Sequence, residues 1–174
     1  MSTAPIADGA IARPAGYQPA ITLVHGRAEA QSCWLMRGGV LLFLLGLLNG
    51  FFIHGLALPR VAMAAHLVAL MGGTFLVGIG LAWPRLRLGQ RLGRAGVLLA
   101  LTSVYGAWLV YLLSGALGAG GMFPLAAGSA RAAESTEQFI AAAFAVIALG
   151  LMAVCLLLLW GLRSPNFASA NCSS

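Results

Sequence analysis

The sequence predicts an all-α membrane protein, a four-transmembrane-helix bundle with both termini in the cytoplasm. Three observations predict it. The 174-residue chain is 60% hydrophobic and 8% charged, whereas a soluble domain carries about 25% charge. Four apolar stretches follow one another, each near the ~20 residues that cross a bilayer core. The ten cationic residues are all arginine and lie unevenly in the segments between the stretches. The composition also excludes disorder, which needs low hydrophobicity and high charge. The net charge of +6 is not a nucleic-acid footprint, because no basic face with interleaved aromatics accompanies it.

Residues 1–34 read as an amino-terminal arm, loosely ordered or interfacial. It holds Pro5, Pro14 and Pro19 among scattered charges, with a short surface helix expected around Leu23–Trp34. No apolar h-region stands there, so no cleaved signal peptide is predicted, and the first apolar helix must direct insertion. Residues 35–163 form the transmembrane domain. Its helices are expected at about 38–58, 61–83, 95–117 and 139–162. They are helices because an open strand would leave backbone groups unpaired in lipid. Leu58-Pro59-Arg60 reads as a tight hairpin. Pro84 ends the second helix, since proline lacks the N–H and restricts its predecessor. Residues 164–174 are a short tail.

Arginine-rich loops stay cytoplasmic. With four spans, the 84–94 loop shares a side with both termini. That side collects Arg13, Arg27, Arg37, Arg85, Arg87, Arg91, Arg94 and Arg163, against Arg60 and Arg131 on the other. A bacterial-type inner (plasma) membrane, crossed several times, is the expected location. Trp34, Trp83 and Trp160 fall near the arginine-rich interface, as an aromatic belt does. Cys33, Cys155 and Cys172 show no metal spacing, and an odd count argues against a disulfide framework.

Small residues punctuate the spans: Gly46 and Gly50 as GxxxG, then Gly72-Gly73, Gly78 and Gly80, then Gly106 and Gly115, then Ala141–Ala145. They let helix backbones approach where packing must replace the hydrophobic effect. Close packing within one bundle is the simpler use, and a contact with a second subunit is the sharper one.

Polar groups at membrane depth are costly and are functional candidates. They are Asn49, His54, His66, Thr102, Ser103, Tyr105, Tyr111 and Ser114. With each predicted helix centred at midplane, Asn49 and Tyr105 sit near the centre. His54, His66 and Tyr111 lie roughly 8–9 Å towards the other side. No carboxylate lies deep in a span, which argues against a proton relay or pump. Each has an ordinary reading too. His66 can be a neutral imidazole on a backbone carbonyl or a metal or haem ligand. His54 can reach interfacial water, the tyrosines can bond a neighbouring helix, and Asn49 can join helices.

The stretches LLFLLGLLNGF (41–51), AHLVALMGGTFLVGIGLAWPRL (65–86), Tyr105-Gly106 and LLLLWGLR (156–163) resemble the hydroxylaminobenzene mutases. These are membrane enzymes that convert an aryl hydroxylamine into 2-aminophenol. Ala65-His66, Gly73, Pro84 and Tyr111-Leu112-x-Ser114 resemble the related styrene oxide isomerases, which turn an aryl epoxide into an aldehyde. The likeness spans about residues 38–163. It implies an isomerase with ferric haem b, His66 as axial ligand, Tyr111 facing the substrate, and a trimer with haem near protomer interfaces. Two positions depart from the family as the resemblance has it: Gly72 stands for an asparagine and Ser103 for an aspartate. Asn49 is the candidate to replace the missing amide.

The mechanism these residues suggest is a rearrangement without redox turnover. Iron with one protein ligand acts as a Lewis acid on a small apolar aromatic substrate. The bundle excludes water, and Tyr111 and Tyr105 are the catalytic candidates beside Asn49. A membrane b-type cytochrome using His54 and His66, or an accessory subunit without cofactor, is the competing class.

Overall fold

The computed structural model describes residues 20–162. The expectations for residues 1–19 and for the tail from 163, including Arg13, Arg163 and Cys172, lie outside the described residues. The elements are α1 (Ala20–Phe52), a 3-10 turn (Ile53–Gly55), α2 (Pro59–Ala82), a second 3-10 turn (Trp83–Arg85), α3 (Gln90–Leu117), the short α4 (Pro124–Ala127) and α5 (Glu134–Leu162). Four helices are long and apolar enough to cross a membrane, and the chain is a multi-pass membrane protein.

The helices outrun the apolar windows where charge begins. α3 starts at Gln90 and carries Arg91 and Arg94 in its first turns, and α5 starts at Glu134. α1 begins at Ala20 and passes through Trp34 without a break, then ends at Phe52, six residues before the predicted end. Two features stop it there. The chain tightens into the 3-10 turn, and Pro59 forces Leu58 out of the helical region (φ −122°, ψ 84°). Pro59 then serves as the first residue of α2, where its missing N–H costs nothing. The Leu58 N–H donates instead to the Gly115 carbonyl, 2.9 Å away on α3.

α1 and α2 form the tightest pair. The buried positions of α1 are Ser32, Leu35, Gly39, Leu42, Gly46, Asn49 and, in the following turn, Ile53. They alternate spacings of three and four, the seam of a seven-residue repeat. On α2 the matching stripe runs Ala62, Ala65, Ala69, Gly73, Leu76, Gly80 and Trp83, all buried. A Cβ added to Gly39 would fall 2.6 Å from the Gly73 carbonyl oxygen, and one added to Gly73 would fall 2.7 Å from the Gly39 oxygen. The two backbones touch, which only glycine permits at both positions. The Ser32 hydroxyl donates to the Gly80 carbonyl at 2.6 Å at the far end of the same seam. These glycines therefore pack helices within the chain.

α3 lies against both helices, and α5 packs chiefly on α3. Gly150 abuts Ser103, Gly106 meets Ile147 and Gly96 meets Leu157. Trp83 departs from the lipid-facing belt expected of it: it is 3% exposed, while Trp34 and Trp160 are 68% and 61% exposed. The second 3-10 turn folds its indole inward, and Nε1–H donates to Gln31 Oε1 at 2.9 Å.

The connection from α3 to α5 is held by one carboxylate. Glu137 Oε2 accepts from the Gly121 N–H and Oε1 from the Ala132 N–H, each at 3.0 Å. A Glu137→Ala variant is expected to lose about 1.5–3 kcal/mol, since hydrogen bonds to charged groups are the stronger class. Limited proteolysis of residues 118–133 in detergent, faster than in wild type, is the readout.

Candidate active site around His66

His66 lies in the second turn of α2, at the edge of the stripe that faces α1 and one seven-residue repeat before Gly73. Its ring rests on Gly50: a Cβ there would come within 3.2 Å of both Cε1 and Nδ1. Nδ1 is 2.7 Å from the Gly46 carbonyl oxygen. A carbonyl only accepts, so Nδ1 carries a proton, and in the neutral tautomer this leaves the lone pair on Nε2. The GxxxG of α1 is thus a cradle, with Gly46 fixing the tautomer and Gly50 leaving room for the ring. Among the described residues Nε2 has no hydrogen-bond partner, and the side chain is half-buried.

Asn49 sits between the two cradle glycines and is 7% exposed. Its Nδ2 is buried without a partner among the described residues. Such a donor costs about 1–3 kcal/mol when left unmade. The sequence places Asn49 at midplane and His66 deeper. The structure instead puts them at one level: Gly50, next to Asn49, abuts the His66 ring, and the first span runs Ala28–Gly55, so its centre lies closer to the amino terminus than predicted. Trp108 Nε1 is a second buried donor without a described partner. Trp108 lies on the face of α3 that also carries Leu101 and Tyr105, which contact Gly38 of α1. An indole in an apolar run gives no sign of this in the sequence.

Tyr111 also shares this depth. A Cβ added to Gly72 would meet Val104, and one added to Gly115 would fall 3.1 Å from the Ala62 nitrogen, so the antiparallel register sets His66 opposite Val110 and Tyr111. The Tyr111 ring, however, packs with Phe123 (centroids 5.2 Å apart) and Phe144 (4.8 Å, edge-to-face). It belongs to an aromatic cluster of α3, α5 and their connection. His54 is exposed in the 3-10 turn beyond α1, off the stripe that carries His66's partners. Thr102 and Ser114 donate to carbonyls of their own helix, Leu98 at 2.8 Å and Val110 at 2.7 Å, and are satisfied there.

The Tyr105 hydroxyl donates to the Gly38 carbonyl at 2.7 Å, tying α3 to α1. A Tyr105→Phe variant is expected to lose about 1 kcal/mol of stability, one ordinary hydrogen bond, and to change turnover only a few-fold. A fall of a hundredfold or more without loss of fold would make it a substrate contact.

No group of three or more His, Cys, Asp or Glu among the described residues could cage a bare metal ion. Haem brings four nitrogens of its own and needs only an axial donor. A neutral imidazole with Nδ1 held by a backbone carbonyl and Nε2 unengaged is the donor set such a group requires, so the residues present fit it.

A family model described as styrene oxide isomerase matches residues 31–163. The hydroxylaminobenzene mutase HabB of Ectopseudomonas oleovorans is 44% identical over 131 residues, covering 75% of this chain and 80% of that protein. HabA, a hydroxylaminobenzene mutase of the same organism, is 34% identical over 108 residues, covering 62% of this chain and 80% of its own length. No solved structure matches the chain.

Proposed function

This chain belongs to the styrene oxide isomerase family and is an isomerase, and on that premise we propose that it rearranges an aryl hydroxylamine to an aminophenol inside the bilayer. The 44% identity to a hydroxylaminobenzene mutase favours this over the epoxide-to-aldehyde reaction of the family's other branch. The observation that carries the reading is His66, whose Nδ1 is tied to the Gly46 carbonyl while Nε2 has no described partner.

In this reading His66 Nε2 holds haem b. When bound, the ferric haem supplies a Lewis acid that weakens an N–O or C–O bond. The chain's own residues do the rest. Gly46 keeps a proton on Nδ1, which orients the ring and leaves Nε2 as the ligand atom. Gly50 leaves the ring its place. The Asn49 amide, buried and unengaged among the described residues, donates to the substrate's oxygen. The Tyr111 face, backed by Phe123 and Phe144, lies against the positive charge that develops on the aryl ring. The apolar helices exclude water that would trap that charge, and a small aromatic reaches them by dissolving in lipid. Tyr111 turns towards α5 while His66 is half-exposed beside α1, which supports a reading in which a second copy completes the pocket, the homo-oligomer being a trimer by resemblance. The inner membrane, with both termini cytoplasmic, is the location that the arginine distribution supports.

Membranes containing the protein, given phenylhydroxylamine and styrene oxide in separate reactions, are expected to yield 2-aminophenol from the first. Phenylacetaldehyde alone would move the reading to the epoxide branch, and neither product would overturn it. An Asn49→Ala variant is expected to lose roughly tenfold to a hundredfold in kcat, the worth of one or two hydrogen bonds to developing charge. Full activity would remove Asn49 from the site.

A further inference from the structure

A cavity lies away from His66, at the arginine-rich end of the bundle. It is a groove of about 550 Å³ between the first turns of α3 and the preceding half of α1. Its floor is apolar, formed by Val97, Leu98 and Leu101, and Trp34 stands at its edge. Its polar lining comes from Arg94, Gln31 and Gln90. Gln31 is oriented: Oε1 accepts the Trp83 indole N–H at 2.9 Å, which leaves its NH2 as the free end. Arg94 offers only donors. The complement of such a rim is an anionic group rich in acceptor oxygens, and the complement of the floor is a hydrocarbon chain.

Charge at this end is one-sided. The described residues here hold Arg37, Arg85, Arg87, Arg91 and Arg94 against one carboxylate, Glu29. Glu29 precedes Gln31 by two residues, about 200° round the helix, and so turns away from the groove. Arg94 precedes Leu101 by seven residues, on the same face of α3, so cation and apolar floor follow one another from the interface into the bilayer. Trp34 is 68% exposed, at the headgroup level where an indole sits best.

We infer that this groove binds one anionic phospholipid, its phosphate on Arg94 and the Gln31 amide and an acyl chain along Val97, Leu98 and Leu101. The basic end supplies the attraction that draws anionic lipid from the surrounding leaflet. Arg94 supplies the charge-assisted contact that selects phosphate over water.

Native mass spectrometry of the full-length protein, released from micelles holding equal phosphatidylglycerol and phosphatidylcholine, tests this. Wild type is expected to retain phosphatidylglycerol in preference. Arg94→Gln should weaken that retention roughly tenfold, the worth of one hydrogen bond to a charged group. Leu98→Trp, which fills the floor, should remove bound lipid of either kind. Arg85→Gln, a charge outside the groove, should leave the preference intact. The inference is overturned if wild type shows no preference, if Arg85→Gln and Arg94→Gln weaken it equally, or if Leu98→Trp retains as much lipid as wild type. Because the readout is lipid mass and not turnover, it stands or falls separately from the catalytic reading.

Discussion

A His66→Ala variant is expected to lose haem and about three orders of magnitude in rearrangement rate, with its helical content unchanged. A Lewis-acid metal contributes several kcal/mol to a transition state, and each ~1.36 kcal/mol is tenfold in rate. The fold tolerates the change because Ala65 and Ala69 already flank this position as buried small residues, and the imidazole's tie to the rest of the bundle is the single 2.7 Å hydrogen bond to Gly46. The absorption spectrum of the purified variant and its 2-aminophenol output are the measurements. Equal haem in variant and wild type would move the axial ligand elsewhere. A Gly50→Val variant separates cradle from ligand. Its added carbons would press on an imidazole already 3.2 Å from where a Cβ would stand, so haem should be retained weakly although the histidine is present.

The second large effect concerns the α1–α2 seam. A Gly73→Ala substitution is expected to destabilise the bundle by about 1–3 kcal/mol, the usual cost of overpacking. Its methyl would lie 2.7 Å from the Gly39 oxygen and 2.9 Å from the Phe43 nitrogen. Both are backbone atoms, so no side chain can swing aside, and the helices must separate. Separation also draws His66, one repeat along the same stripe, away from Gly46, so activity should fall with stability. Gly78→Ala is the control. No described atom lies within 4 Å of the added carbon, and removing a mid-helix glycine gains up to about 1 kcal/mol. Opposite shifts of the unfolding midpoint are expected. Equal shifts would mean that glycine content, not the facing contact, sets stability.

The four spans were legible because lipid leaves the backbone few options and the apolar runs have the length a bilayer demands. Helix ends were less so. Hydropathy stops at Arg94 and Glu137, but the helices continue past them to Gln90 and Glu134. His66 stood out as an ionisable group at membrane depth. Gly46 and Gly50 stood out as a small-residue pair, but nothing in their spacing said that their partner would be an imidazole. Tyr105 and Tyr111 looked alike in sequence and separate in space, one tied to the Gly38 carbonyl and the other set among Phe123 and Phe144.

Amino-acid order is enough to send this chain across a membrane four times as helices and to name the few polar side chains that go with it, because burial in hydrocarbon is governed by composition and length. Which of those groups meet is a matter of packing. Register between α1 and α2 is set by glycines whose backbones touch, and that register brings Gly46 to His66 Nδ1 and leaves Nε2 unengaged. A contact fixed by two helices at a particular offset has no signature in either helix read alone.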